Sequence, residues 1–467
     1  MREKREKNKS YPLSVVQSTD LVQLMAVALH PQGANVPVSV YIEKDMDLDL
    51  LRRALDIEVQ RNDSLRNRIR LTFSGIRQSF LPEKKLGEIP FDDLQGKTEE
   101  EFNEYVRANN ARRLRIFRGE TFRLRFFRAP DGRFGIHGIF AHLAMDAISV
   151  LLFYRDLFSV YVSLRDGKPL PPPMGRFEVT LQKDLAVFAN KEKQARIAKF
   201  YEDYLSEGGP SFYAGVDGMR DLNRIRKLRR DPNCRTVPII HPLNDRTKTL
   251  KFHVDETELA AMEEFCAQRR VSLQSLFQLG MRTHLSKVNE ESEDVSLFVT
   301  VCRRATLEDI NSGGSRALAH TVRTVFDRSV SFDKALFDIN RCNLRLYRHA
   351  DYSCLDEIYA QARREKHSLM DTSLPLLFTF FPKDALFTEH ELDCEFFGSG
   401  TGRFVYGLYT MLIPNVRLGG YDIYYDYQTR SITAEDVSLL HENMMKAIRA
   451  GINEPDITLG RLMDEKL

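Results

Sequence analysis

Hydrophobic and polar positions change their period several times along the chain, and each change predicts an element. Between Leu48 and Arg61, the residues Leu51, Ala54, Leu55 and Val59 fall on one face of a 3.6-residue repeat. That spacing predicts a helix with Asp47 as its N-cap. Arg66, Arg68 and Arg70 then alternate with Asn67, Ile69 and Leu71, so the helix should lead into a strand. Glu99 to Arg113 reads as a second helix, polar on one side. Phe122, Leu124 and Phe126 alternate with Arg123 and Arg125, the turn residues Pro130-Asp131-Gly132 follow, and Phe134, Ile136 and Phe140 alternate again. This is a hairpin pattern, and its return strand runs into His142. From Ile148 to Val162 nearly every position is apolar or aromatic, as in a helix buried on all sides. The order is strand, short polar break holding His142 and Asp146, buried helix.

Leu170-Pro171-Pro172-Pro173 stops this region and stiffens a connector, which places the main boundary between 165 and 190. Beyond it, helical stretches at 185–206, 255–286, 355–368 and 433–449 alternate with strand-like runs at 237–253, 295–302, 318–327, 374–381, 404–413 and 420–427. Residues 213–236 read as a loop whose charge run, Arg224 to Arg230, is solvated. There is no internal repeat. Helices and strands mixed in both halves predict two α/β lobes: a flexible tail at 1–10, an N-terminal lobe at 11–175 and a C-terminal lobe at 176–467. A chain of 467 residues is too long for one core and suits two or three domains.

Composition narrows the picture by exclusion. Hydrophobic residues make up 43% and charged residues 29%, and the net charge is +2. That is ordinary globular composition with no charge-based case for a nucleic-acid partner. No apolar run approaches the ~18–20 residues that span a bilayer, and no apolar segment follows the basic start MREKREKNKS, so neither a membrane anchor nor a signal peptide is expected. The six cysteines, Cys234, Cys266, Cys302, Cys342, Cys354 and Cys394, form no C-x-x-C pair. They are expected to be reduced thiols of a cytoplasmic protein, without a metal site.

The H-x-x-x-D spacing occurs three times, at His142/Asp146, His241/Asp245 and His367/Asp371. Only His142 stands where a strand ends and a buried helix begins, the kind of rigidly held loop on which chemistry concentrates. His241 precedes a proline in a polar loop, and His367 lies near the end of a charged helix. The Gly398-Ser399-Gly400-Thr401-Gly402 run lacks the Lys and Ser/Thr of a phosphate-binding loop and reads as a mobile loop.

The segment AHLAMDAIS (141–149) resembles the HHxxxDGWS motif of the condensation domains of nonribosomal peptide synthetases. His142 matches its second histidine and Asp146 its aspartate. YPLSVVQ (11–17), RNDSLRNR (61–68), KDLAVF (183–188), HADYSCLDE (349–357) and DTSLPLLFTF (371–380) resemble further motifs of that family, in order. The chain departs from the pattern at Ala141, Ala147, Ile148 and Asn62. The resemblance covers about residues 11–460, and the chain is identified as a stand-alone relative of these domains. It implies an α/β fold of two chloramphenicol-acetyltransferase-like lobes in a V with a central tunnel. It also implies acyl transfer from a phosphopantetheinyl thioester, presented by an acyl or peptidyl carrier protein, to a small amine or alcohol. No metal or tightly bound cofactor, nucleic acid or membrane partner is implied. His142 would be the catalytic residue. Asp146 would be structural and paired with an arginine, Arg61 first and Arg66 second. The Ala147 N–H and Ser149 would serve the oxyanion or position the substrate, and His349 and Asp351 would serve packing. A catalytically silent carrier-binding or scaffolding member is the alternative that the departures suggest.

Overall fold

The computed structural model describes residues 9–26, 30–42, 46–239, 246–385, 392, 394–397 and 400–464. The chain divides into two compact units, both of mixed α/β structure. The first comprises Met1–Ala189, Cys302–Ala317 and Asp384–Gly402; the second comprises Asn190–Val301, Leu318–Lys383 and Arg403–Leu467. This corrects the expected division at 175/176. The triple-proline connector is part of the first unit, because the Arg61 guanidinium donates to the carbonyls of Pro171 at 2.9 Å and Pro172 at 2.8 Å. The helix that follows is held there too, since the Asp63 carboxylate accepts from the Phe177 and Glu178 amides at 2.8 and 3.0 Å.

The five helices of the first unit that matter below are α1 (Val15–Ala26), α2 (Leu48–Arg61), α3 (Glu99–Asn110), α4 (Ala147–Arg165) and α5 (Phe177–Ala189). Asp47 caps α2 as expected, accepting from the Leu50 amide at 3.0 Å. Five strands form a sheet in the order Cys394–Phe397, Asn35–Ile42, Phe134–Ala141, Phe122–Arg128, Phe91–Asp93. All neighbours are antiparallel except the last pair. The predicted hairpin is its middle, and all eight residues of Phe134–Ala141 are buried. Gly138 lets that strand approach α4: a Cβ there would meet the Tyr154 hydroxyl at 2.8 Å. Helix α4 buries eleven of its residues. Its 19 residues average a hydropathy of 1.5 over an 18-residue window, long and apolar enough to cross a membrane, which corrects the expectation that no such stretch exists. Arg155 and Asp156 interrupt the run without lowering its average enough. In this fold 61% of that window is buried inside the protein.

The second unit is built on a six-stranded sheet in the order Leu318–Val325, Asp294–Val301, Leu376–Phe380, Leu408–Pro414, Tyr421–Gln428, Thr247–Val254. Leu376–Phe380 is parallel to both neighbours, and the other pairings are antiparallel. Three sequence expectations change here. The stretch 185–206 is two helices, because Asn190 caps a new one at Lys191–Ser206. The stretch 255–286 also divides, where Arg270 takes a left-handed φ of 56° and Ser272 caps Leu273–Val288. The supposed loop at 213–236 contains the helix Arg220–Arg229. The long helix Phe332–Arg348 was not anticipated, although Phe332, Ala335, Leu336, Ile339 and Leu346 make one buried face.

Candidate functional site

The strand Phe134–Ala141 ends one residue before His142, and α4 begins at Ala147. The turn between them is pinned from several sides. The His142 amide donates to Ala34 O at 3.2 Å, and the Ala144 and Met145 amides return to Ala141 O. Gln17 of α1 donates through Nε2 to Leu143 O at 2.9 Å. That glutamine belongs to the YPLSVVQ segment, so the motif braces the turn from a different helix.

Asp146 closes the turn and caps α4. Its carboxylate accepts six hydrogen bonds: the amide and hydroxyl of Ser149, both at 2.9 Å, two guanidinium nitrogens of Arg304, both at 2.9 Å, and the amides of Arg316 at 2.9 Å and Ala317 at 3.1 Å. Burial opposes ionisation of Asp146, but Arg304 and the amide donors outweigh it and hold the carboxyl below the usual range. Both partners of the ion pair are 2% exposed at the side chain. The structural role expected of Asp146 is met by Arg304, not Arg61. Arg61 instead pairs with Asp156 of α4 at 3.0 Å. The runner-up, Arg66, donates to the carbonyls of Val59, Gln60, Leu81 and Pro82. Arg304 lies 158 residues from Asp146, and local spacing carries no signal at that separation.

Ser149 is fully buried. Its single hydroxyl proton lies between two acceptors, Asp146 Oδ1 and Gly314 O, and its oxygen accepts from Arg304. This corrects the expectation that it positions a substrate, because its hydrogen-bonding capacity is taken up inside the turn. Ala147 occupies the first position of α4, is partly exposed, and its N–H meets no acceptor among the described residues. It is one of the free donors at the positive end of a 19-residue helix. Those are the attributes of an oxyanion donor.

Sequence reasoning missed Asp20. It lies on the buried side of α1 and is 5% exposed. Its Oδ1 stands 3.1 Å from His142 Nδ1, and its Oδ2 accepts from Ser315 Oγ at 2.6 Å. The contact joins the two groups by charge and hydrogen bonding. Burial disfavours the charged ring, but Asp20 outweighs it and Asp146 adds to it, which raises the imidazole pKa to about 9. The side chain keeps 33% of its surface. A carboxylate among Val16, Gln17 and Thr19 on the buried side of a helix was the available clue.

The other candidates are elsewhere. His349 stacks on Phe200 at 3.8 Å between ring centroids, and Asp351 pairs with Lys193 at 2.6 Å. Both contacts are packing. His367 lies beyond the end of its helix and donates through Nδ1 to Ser368 O, 2.9 Å away. His241 and Asp245 lie outside the described residues, as do Gly398 and Ser399 of the glycine-rich run. All six cysteines are free, and among the described residues no three His, Cys, Asp or Glu side chains cluster as a metal site.

Comparison with known proteins bears on this site and on the whole fold. Residues 7–212 match the family model described as Condensation domain. Surfactin synthase subunit 1 of Bacillus subtilis is 20% identical over 429 residues, 89% of this chain and 11% of its own length. Tyrocidine synthase 2 of Brevibacillus parabrevis is 26% identical over 180 residues, 36% of this chain and 5% of its own length. The chain therefore spans only a small part of the length of the curated relatives it matches. The first condensation domain of the calcium-dependent antibiotic synthetase superimposes with a TM-score of 0.78 at 16% identity, covering 97% of this chain and 98% of that one. The starter condensation domain of rhizomide synthetase does so with a TM-score of 0.79 at 15% identity, covering 97% of each. Residues 7–212 are thus similar to the condensation domain family, and nearly the whole length of the chain has the α/β fold of the solved condensation domains.

Proposed function

We propose that this chain is a condensation-domain acyltransferase with His142 as its catalytic residue. Condensation domains form amide and ester bonds in nonribosomal peptide synthesis. In this reading an acyl or peptidyl carrier protein presents the acyl group as a phosphopantetheinyl thioester, and a small amine or alcohol attacks its carbonyl. The C–N or C–O bond forms, the C–S bond breaks, the attacking atom loses a proton, and the departing thiolate gains one. The observation that carries the reading is the turn itself. His142 directly follows a fully buried strand and precedes a helix-capping carboxylate with six donors. That is the rigid mounting a catalytic group needs.

Asp20 sets the direction in which His142 works. An imidazolium at neutral pH donates: it can support the developing oxyanion beside the Ala147 N–H and hand its proton to the thiolate. It then recovers a proton from the attacking nitrogen or oxygen, so the exchange closes. It is a base from the outset only when the solution pH reaches about 9. The same contact favours the second reading, a catalytically silent carrier-binding or scaffolding member, because an imidazolium is no base. Ala141 and Ala147, where the motif has His and Gly, point the same way. The six free thiols support a cytoplasmic location.

The test is turnover of an acyl-loaded carrier protein with a panel of amines and alcohols. His142→Ala should lower the rate by ~10²-fold or more, the scale of lost acid–base assistance. An unchanged rate in that variant would sink the catalytic assignment. Carrier binding without turnover by the wild type would establish the silent reading.

A further inference from the structure

After α3 ends at Asn110 the chain reverses through a short 3-10 turn, Ile116–Arg118, closed by Gly119 at a left-handed φ of 91°. Leu114 and Ile116 point into the core, 5% and 7% exposed, and the alternation turns Arg113 and Arg115 outward. The result is an open, shallow cavity of about 730 Å³ lined by Arg112, Arg113, Arg115, Arg118, Arg123 and Glu120. Five guanidinium groups face one carboxylate, a net of +4. Glu120 is already engaged, accepting from Arg123 Nε at 3.0 Å and from the Arg115 amide at 3.0 Å. Arg112, Arg113, Arg115 and Arg118 have no carboxylate partner among the described residues.

The whole chain carries only +2, so everything outside this cavity sums to −2. The cavity is therefore more basic than the chain as a whole. Four unpaired like charges around one concavity repel one another, and a solubilising surface would mix the signs. Guanidinium forks match phosphate oxygens two at a time, and the volume falls in the ~300–1,000 Å³ range of small-molecule sites. We propose that this cavity is a binding site for a small organic molecule carrying two or more phosphate groups. One phosphate could occupy only part of the guanidinium set.

The cavity also borders the His142 turn. Thr121, next to Glu120, accepts through its carbonyl from the Ala141 amide at 2.8 Å. Asn35, paired in register with Ala141, donates through Nδ2 to Arg112 O at 3.2 Å. The inference does not depend on the acyltransferase reading, since binding is measured without turnover.

The experiment is isothermal titration of the full chain with pyrophosphate, adenosine 3′,5′-bisphosphate and inorganic phosphate, at low and at ~0.3 M salt. The two polyphosphates should bind at least ~10-fold tighter than inorganic phosphate, and more weakly at high salt. The double substitution Arg113→Gln, Arg118→Gln should weaken both by ~10-fold or more without changing the melting temperature of the free protein. Tighter binding of the adenosine compound identifies a nucleotide-type ligand, and equal binding a bare polyphosphate; both support the site. No saturable binding, equal affinity for inorganic phosphate, or unchanged affinity in the double variant would overturn it. So would an acidic carrier protein that binds here while neither phosphate probe does.

Discussion

His142 and Asp20 form a pair in which the carboxylate decides the state of the ring. Asp20→Asn keeps the volume and removes the charge. The imidazole pKa should then fall from about 9 toward its ordinary ~6.5, which an NMR titration of the ring would read directly. If the imidazolium is the working form, the alkaline fall of the rate should move to lower pH in the variant, and turnover at pH 8 should drop severalfold. A rate that rises at pH 7 instead would mean that the neutral ring is the working form. The sign for stability follows from the same shift. The raised pKa means the His142–Asp20 attraction is fully present below about pH 6.5 and is lost as the pH passes through about 9. His142 was legible because the strand-to-helix change in period singled it out from two equivalent spacings. Asp20 was not, since the α1 segment carried no recognised periodicity, and the partner it meets is more than a hundred positions away.

At the scale of elements, the Asp146 turn holds Cys302–Ala317 to the first unit through Arg304, Arg316 and Ala317. Removing one member of a buried ion pair strands the other, at ~3–5 kcal/mol. Asp146→Ala should therefore lower thermal stability more than His142→Ala does, and chemical denaturation of the two variants would rank them. Equal stabilities would mean that the segment is held without the carboxylate. Helix α2 carries a second consequence. Glu58 is fully buried, and burial together with the neighbouring Asp156 keeps its carboxyl protonated well above the usual range. The unfolded chain ionises Glu58 near its ordinary pKa, so its favourable contribution is present below that value and is lost as the pH rises toward the raised one. Glu58→Gln, which stays neutral, should flatten this decline, visible as a smaller loss of melting temperature between pH 5 and 8. The sequence showed α2 and its cap clearly because its apolar face is periodic. It showed Glu58 only as one more charge on a helix, since nothing local says that the side chain faces Asp156.

Over the whole molecule, two α/β lobes were legible from the mixture of periods, but their discontinuity was not. Segments such as Cys302–Ala317 return to the first unit through side chains chosen by distant partners, and pattern reading sees only neighbours. The two arginine clusters show the same limit for charge. Along the sequence, Arg112–Arg118 and Arg224–Arg230 both look like solvated runs. In the structure, Arg229 pairs with Asp371 through two bonds of 2.7 and 2.8 Å, Arg224 with Asp221 at 2.6 Å, and Arg226 donates to Cys234 O at 2.9 Å. Arg113 and Arg118 line the open cavity instead. Asp371 is 5% exposed and Arg229 34% at the side chain, so the pair is partly screened, and its loss should cost ~1–3 kcal/mol, the range of charged hydrogen bonds. Arg229→Ala should lower the unfolding free energy from chemical denaturation by that amount, whereas Arg113→Ala should stay within ~0.5 kcal/mol of the wild type, as surface changes do. The functional readout should run the other way. Binding of pyrophosphate should weaken in Arg113→Ala and persist in Arg229→Ala, once both are compared at temperatures where each is folded. The reverse pattern, with stability lost at Arg113 and binding lost at Arg229, would mean that the 224–230 cluster is the docking face despite its internal partners.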